Sequence, residues 1–180
     1  NTVKALNGTG ASDAVENIAL GNTFIYEEII SAAYASAVRK LKEKWTIDLG
    51  FRIEHTFAKG TAQNVVNSFN KEYVNFFPNL SLVYAVPKKY SLSAAYTRRI
   101  KRPEYHQLNP FQSQTNQFNF HQGNPDLNPA ITDALNLTYG IKEAVYFTLS
   151  ANRTYGLMNR VIKQEELLQR QVYTTENIDL

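Results

Sequence analysis

The sequence predicts an all-β fold: an antiparallel up-and-down meander of about six long strands, forming a partial transmembrane β-barrel. Three observations lead there. In Trp45 to Phe57, WTIDLGFRIEHTF, one side carries Trp45, Ile47, Leu49, Phe51, Ile53, His55 and Phe57. The other side carries Thr46, Asp48, Gly50, Arg52, Glu54 and Thr56, because successive side chains of a strand point to opposite faces. The run is also long. It exceeds the roughly 5–6 residues common in soluble strands and suits the about 9–11 that a tilted strand needs to cross a bilayer. Finally, the links alternate in length. Those near 42–44, 87–89 and 142–144 are short and carry Lys, whereas those near 58–76, 102–130 and 156–170 are long. Short turns on one side and long loops on the other is the asymmetry of outer-membrane barrels.

Residues 1–25 are rich in Asn, Gly, Ala, Ser and Thr without a sustained period and read as a mobile loop. Residues 26–180 make up the barrel domain. Its first strand is expected near 28–41, with Ile30, Ala32, Tyr34 and Val38 on one parity and Ser31, Ala33, Ala35, Ala37 and Arg39 on the other. Its alanine content would also suit a helix. Lys42, Glu43 and Lys44 turn it into the strand over 45–57. Ala58 to Phe76 reads as a long polar link. In the strand over 79–86, Leu80, Leu82, Tyr84 and Val86 alternate with Asn79, Ser81, Val83 and Ala85. Pro87 ends it where a missing N–H costs no ladder bond. Tyr90 to Lys101 alternates again. Arg102 to Pro129 is the longest irregular stretch, dense in Asn, Gln and Pro. Strands near 131–141 and 145–155 form a further hairpin. Gly156 to Gln169 carries no clear period, with one helical turn open at Glu165 to Leu168, and another strand starts near 170–175.

Composition excludes several classes. The 180 residues hold 43% hydrophobic residues, 11 Tyr, 10 Phe and no Cys. No stretch approaches the about 18 apolar residues of a membrane helix, which says nothing against a barrel. Without cysteine there is neither a disulfide framework nor thiolate chemistry. The net charge of +3 is mild and dispersed, so no basic stripe marks nucleic acid as a partner. His55, His106 and His121 lack metal-ligand spacing. No phosphate-binding glycine loop, GxSxG or HExxH is present, so no catalytic residue and no cofactor is assigned. The chain begins at Asn1 without the pattern of a signal peptide, which together with the strand pattern suggests a piece of a larger barrel.

Tyr96 to Tyr105, YTRRIKRPEY, then Leu108 to Phe111, LNPF, then Gly123 to Pro129, GNPDLNP, resemble a run in TonB-dependent outer-membrane receptors, and most of all the outer-membrane β-barrel family. Tyr26 to Tyr34, Lys44-Trp45 and Gly50 to Thr56 are similar to the strands that precede that run. The resemblance spans most of Tyr26 to Tyr155. It implies a barrel of about 22 strands around an N-terminal plug, driven by an energised periplasmic protein and importing a nutrient such as a chelate, glycan or peptide. It also implies the outer membrane of a Gram-negative bacterium as location. The plug, the rest of the barrel and the energising protein would be partners of the parent, and outer-membrane lipid a partner of this chain. A slice with open edges and an oily face is expected to self-associate.

Tyr105, Phe111, Phe118 and Phe120 lie beside Asn109, Asn124 and other amides in the long loop, a mixture that can stack on and hydrogen-bond a ligand. Turn geometry alone explains GNPDLNP as well, because Pro fixes φ and Asn and Asp form side-chain turns. Asp48, Arg52 and Glu54 share the polar parity of their strand and are expected to face the lumen. Arg98 and Arg153 fall on the oily parity, each eight residues beyond Tyr90 and Val145. That is roughly 19 Å up a wall tilted by about 45°, which makes them candidates for a lipid-facing outer rim. The competing reading is a soluble β-rich ligand-binding module such as a carbohydrate-binding sandwich. It would bury Leu49, Phe51, Leu82, Leu137 and Phe147 under a second layer.

Overall fold

The computed structural model describes residues 2–6, 23–63, 68–166 and 169–178. In chain order the strands are β1 (Thr2–Leu6), β2 (Thr23–Leu41), β3 (Trp45–Ala62), β4 (Phe69–Val86) and β5 (Tyr90–Lys101). A one-turn helix α1 (Tyr105–Leu108) follows, then β6 (Gln112–Gln114), β7 (Asn119–Gln122), β8 (Ala130–Ile141), β9 (Val145–Tyr155), β10 (Leu157–Glu165) and β11 (Arg170–Ile178). The main sheet has the order β1-β2-β3-β4-β5-β8-β9, and each neighbouring pair is antiparallel. This is the expected meander of six long strands, with β1 added at one edge. It curves as a wall that does not close among the described residues.

Three tight turns hold the hairpins in register. Lys42, Glu43, Lys88, Lys142 and Glu143 all adopt positive φ, between 49° and 61°. Such left-handed backbone matches the twist of flanking strands but strains residues that carry a Cβ. The turns brace one another: Ala85 N–H donates to Lys44 C=O at 2.9 Å, and Lys142 N–H to Lys89 C=O at 2.8 Å.

The sequence expectations need correction in four places. The polar link over 58–76 is largely strand, because β3 runs to Ala62 and β4 starts at Phe69. Alternation is lost there because one face is covered by protein rather than water, so Ala58, Gly60 and Ala62 sit buried. The ring of Phe69 occupies the space above Gly60, where an added Cβ would come within 2.3 Å of it. Within the loop expected over 1–25, Thr2–Leu6 pairs with β2 in register, Thr2 opposite Glu27, and Thr23 onward belongs to β2; residues 7–22 lie outside the described set. Leu157–Glu165 is strand β10, and the helical turn considered near it reduces to Glu166, with Leu167 and Leu168 undescribed. Fourth, β2 is two-faced in an unexpected sense. Tyr34 stands opposite Arg52 and Val38 opposite Asp48, so the larger apolar residues of β2 share a face with the charges of β3.

The second sheet has the order β10-β11-β7-β6, with β11 and β7 parallel. Gly156, at φ 61°, separates β9 from β10, so the chain leaves the main sheet and pairs with β11 beyond it. The buried cluster of Phe24, Ala62, Leu108 and Leu127, extended by Tyr26, Phe69, Tyr105, Phe111 and Met158, lies where the 102–129 segment folds onto the polar face of the wall.

Candidate functional site

The two faces of the wall differ in kind. One face carries Leu49 opposite Leu80, Ile47 opposite Leu82, and Leu137 opposite both Ala94 and Leu149. No described element covers it: Leu49 is 51% exposed, Phe51 49%, Phe147 61% and Leu149 69%. Near the short turns this face bears an aromatic belt, with Trp45 and Tyr84 rings 4.6 Å apart and Tyr84 and Tyr90 6.0 Å apart. Interfacial aromatics at one end of an uncovered apolar band are the pattern of a membrane wall. The sandwich reading fails here, since Leu49, Phe51, Leu82, Leu137 and Phe147 lie beneath no second layer.

The opposite face is polar and bonded across strands. Thr132 and Thr154 hydroxyls lie 2.9 Å apart, Thr138 and Thr148 3.1 Å, and Ser150 donates to Asn136 Oδ1 at 2.7 Å. Asp48, Arg52 and Glu54 stand on this face of β3, and Glu54 is only 6% exposed. Its carboxylate accepts from Arg102 Nη2 at 2.6 Å and sits 3.2 Å from Arg52 Nη2. Arg102 Nη2 also donates to Thr56 Oγ1 at 3.0 Å, and Glu28 lies 3.7 Å from Arg102 Nε. Burial by itself lowers the Arg102 pKa, but Glu54 and Tyr73 more than offset it and hold the guanidinium above its ordinary value.

This clamp begins the docking of the long loop. Glu104 opens α1 with a capping box, its backbone N–H held by Gln107 Oε1 at 2.9 Å. Tyr105 packs on Phe24 with rings 5.4 Å apart, and its hydroxyl donates to Phe24 C=O at 3.2 Å. Lys71 Nζ donates to Leu127 C=O. The GNPDLNP segment folds back on α1, with Gly123 N–H to Asn109 C=O at 2.9 Å and Asn124 N–H to Gln107 C=O at 2.6 Å. Its residues are therefore engaged as a structural corner.

The six proposed ligand contacts divide accordingly. Asn109 Oδ1 accepts from Phe111 N–H, and Asn124 bonds Asp126 N–H and Thr175 C=O, so both amides are used within the fold. Tyr105 and Phe111 belong to the buried cluster. Phe120 lies under the Arg170 guanidinium at 5.1 Å, and Phe118 is 58% exposed. Arg98 and Arg153 both stand on the apolar face, either side of Asp133.

A cleft of about 410 Å³ lies between α1 and the sheet face that carries Met158, and two of the proposed contacts, Asn109 and Phe111, line it. His106, Gln107, His121, Arg160 and Tyr173 line it, with His121 and Tyr173 rings 5.2 Å apart. No lining residue is a carboxylate. Glu104 lies 3.4 Å from His106 Nδ1. No signal in the sequence joined these residues, because β10 carries no clear period and the contact depends on it.

Comparison with known proteins agrees with the fold. The wall superimposes on the siderophore receptor PirA from Pseudomonas aeruginosa with a TM-score of 0.52, at 12% identity, over 89% of this chain and 38% of that one. It also superimposes on the ferric enterobactin receptor PfeA of the same organism, in a point variant bound to enterobactin. That TM-score is 0.50, at 15% identity, over 87% of this chain and 32% of the receptor. The chain thus spans about a third of the length of these receptors, and at such identity the likeness is one of fold. No curated protein matches. The family model described as the outer membrane protein beta-barrel family matches residues 1–180, so the chain belongs to that family and is placed in the outer membrane of a Gram-negative bacterium.

Proposed function

We propose that the chain is part of a TonB-dependent importer that carries a nutrient across the outer membrane. The observation that carries this reading is the two-faced wall with its longest loop folded onto the polar face. That face, with Asp48, Arg52 and Glu54, then lines the lumen, and a plug and an energised periplasmic protein complete the machine in the parent. The cleft near α1 is the nutrient-facing site. With His106, His121 and Arg160 on its rim and no carboxylate among its lining residues, it suits an anionic nutrient such as a chelate better than a neutral glycan or a cationic peptide. Of the loop aromatics, Phe111 lines the cleft and is the one placed to approach a ligand there. The reading assigns no catalysis: the groups in the cleft bind and orient.

Uptake assays on cells lacking the full-length gene test this. Energy-dependent uptake of an anionic chelate is expected to fall to background and to return with the gene, but not with Arg160→Glu. Uptake that persists without the gene, or that an uncoupler leaves unchanged, overturns the importer reading. Preferential loss of a glycan or peptide overturns only the anionic assignment.

A further inference from the structure

Across β5, β8 and β9 the apolar face holds one charged row. Arg98, Asp133 and Arg153 stand directly opposite one another on β5, β8 and β9. The neighbouring rows, Tyr96–Leu135–Ala151 and Ile100–Ile131–Tyr155, carry no charge. Arg98 forks onto Asp133, with Nε 2.6 Å from Oδ1 and Nη2 2.8 Å from Oδ2. Tyr96 hydroxyl adds a third bond to Oδ1 at 2.8 Å. The carboxylate is thus occupied from the β5 side. Arg153 faces it from β9 without an ion pair among the described residues, its guanidinium 4.7 Å over the Tyr155 ring. Two guanidiniums and one carboxylate leave a net positive charge on a part of this face whose other rows, on β5, β8 and β9, are uncharged.

We propose that this row binds a phosphate group of an outer-leaflet lipid. Height supports it. The aromatic belt of Trp45, Tyr84 and Tyr90 marks the rim at the short turns, and the charged row stands roughly 19 Å above Tyr90 and Val145 in an apolar band about 25 Å tall. That places it at the far rim, where an arginine costs about 0–1 kcal/mol rather than the 2–4 of the midplane. The chemistry supports it as well. Asp133 engages Nε and Nη2 of Arg98, and Arg153 stands opposite Asp133 with its guanidinium on the Tyr155 ring, so two cations flank one carboxylate where an oxyanion can bridge them. The occupant is a lipid rather than free phosphate because the row is flanked by the rows of Leu135 and of Ile100, Ile131 and Tyr155. Acyl chains gain contacts there, whereas a hydrated ion loses its water.

The test uses the full-length protein in nanodiscs, with lipid A, dephosphorylated lipid A and inorganic phosphate as probes, and folding checked by heat-dependent gel mobility. Wild-type protein is expected to retain lipid A, and an R98Q/R153Q double variant about tenfold less. R153K should keep most of the binding that R153Q loses. Equal retention by wild type and the folded double variant overturns the proposal, as does equal retention of the dephosphorylated lipid. Displacement by inorganic phosphate alone, at millimolar concentration, also overturns it in favour of a simple ion site. If the double variant does not fold, the contrast between R153Q and R153K decides: rescue by lysine supports the site, and no difference overturns it.

Discussion

Arg102, one residue beyond β5, reaches across β4 to Glu54 on β3, with Nη2 2.6 Å from Oε2. It thereby ties the first residue of the long loop to the polar face. Arg102 Nε is buried without a hydrogen-bond partner, so the pair has little slack. Removing one partner from a buried ion pair typically costs about 3–5 kcal/mol; Arg52 still faces the Glu54 carboxylate at 3.2 Å, which puts the loss near the lower end of that range. Arg102→Ala is therefore expected to lower stability by about that amount and to free the 102–129 segment for protease. Pairing it with Glu54→Leu should recover much of the loss. Denaturant titration of the four proteins in detergent checks this, and simple additivity would show that the two residues are not coupled.

Gly123 is held by backbone on three sides. A Cβ there would lie 2.5 Å from Asn109 O, 2.7 Å from Asn109 N and 2.7 Å from Gln107 O. None of these can rotate away, so Gly123→Ala is expected to cost about 1–3 kcal/mol and to separate the GNP corner from α1. Gly50→Ala is the control, since its nearest neighbour would be Asn79 Cβ at 3.4 Å. Thermal melts of the two variants should differ clearly.

Depth in the membrane separates two arginine substitutions on the apolar face. Leu137 lies mid-wall between Ala94 and Leu149, whereas Val145 follows the short turn opposite Ile141. Leu137→Arg is expected to cost about 2–4 kcal/mol and Val145→Arg about 0–1, read as folding efficiency into lipid vesicles. Equal costs would mean that this face does not cross hydrocarbon. By the same logic, the 180-residue chain alone is expected to stay dispersed in detergent and to associate in plain buffer, which light scattering reads directly.

Alkaline pH should loosen the loop. Burial raises the pKa of Tyr105 above its ordinary 10.0, so the docked state prefers the neutral phenol. The stabilisation is complete below pH 10 and declines as pH rises from there toward the docked pKa, because the undocked tyrosine ionises first. Protease sensitivity of residues 102–129 should therefore rise above about pH 10 in wild type and much less in Tyr105→Phe.

Much of the wall was legible because a bilayer imposes a strict period of two. WTIDLGFRIEHTF exposes Leu49 and Phe51 on one face and buries Glu54 on the other, as alternation demands. The signal faded where protein replaced lipid and water as the surroundings. Ala58, Gly60 and Ala62 read as a link because their face is packed under Phe69 and Leu127, and small residues carry no period. A turn-forming amide and a ligand-binding amide look alike in sequence: Asn124 is spent on Asp126 N–H and Thr175 C=O, while Asn109 turns toward Phe111 N–H with Oδ1 and also lines the cleft. The His106–His121–Arg160 cleft joins residues from α1, β7 and β10, and no local pattern encodes such a meeting.

Ile30, Tyr34 and Val38 run at intervals of four along the polar face of β2, with Tyr34 82% exposed. An aqueous channel would wet this stripe at a cost of roughly 1.5–3 kcal/mol for each large side chain fully solvated. The polar face is thus not uniformly hydrophilic: one stripe of it favours a dry neighbour. If that face lines the lumen as proposed, a body seated beside β2 gains adhesion there, and a solute moving along the same side meets slippery, non-hydrogen-bonding ground rather than a ladder of amides and hydroxyls.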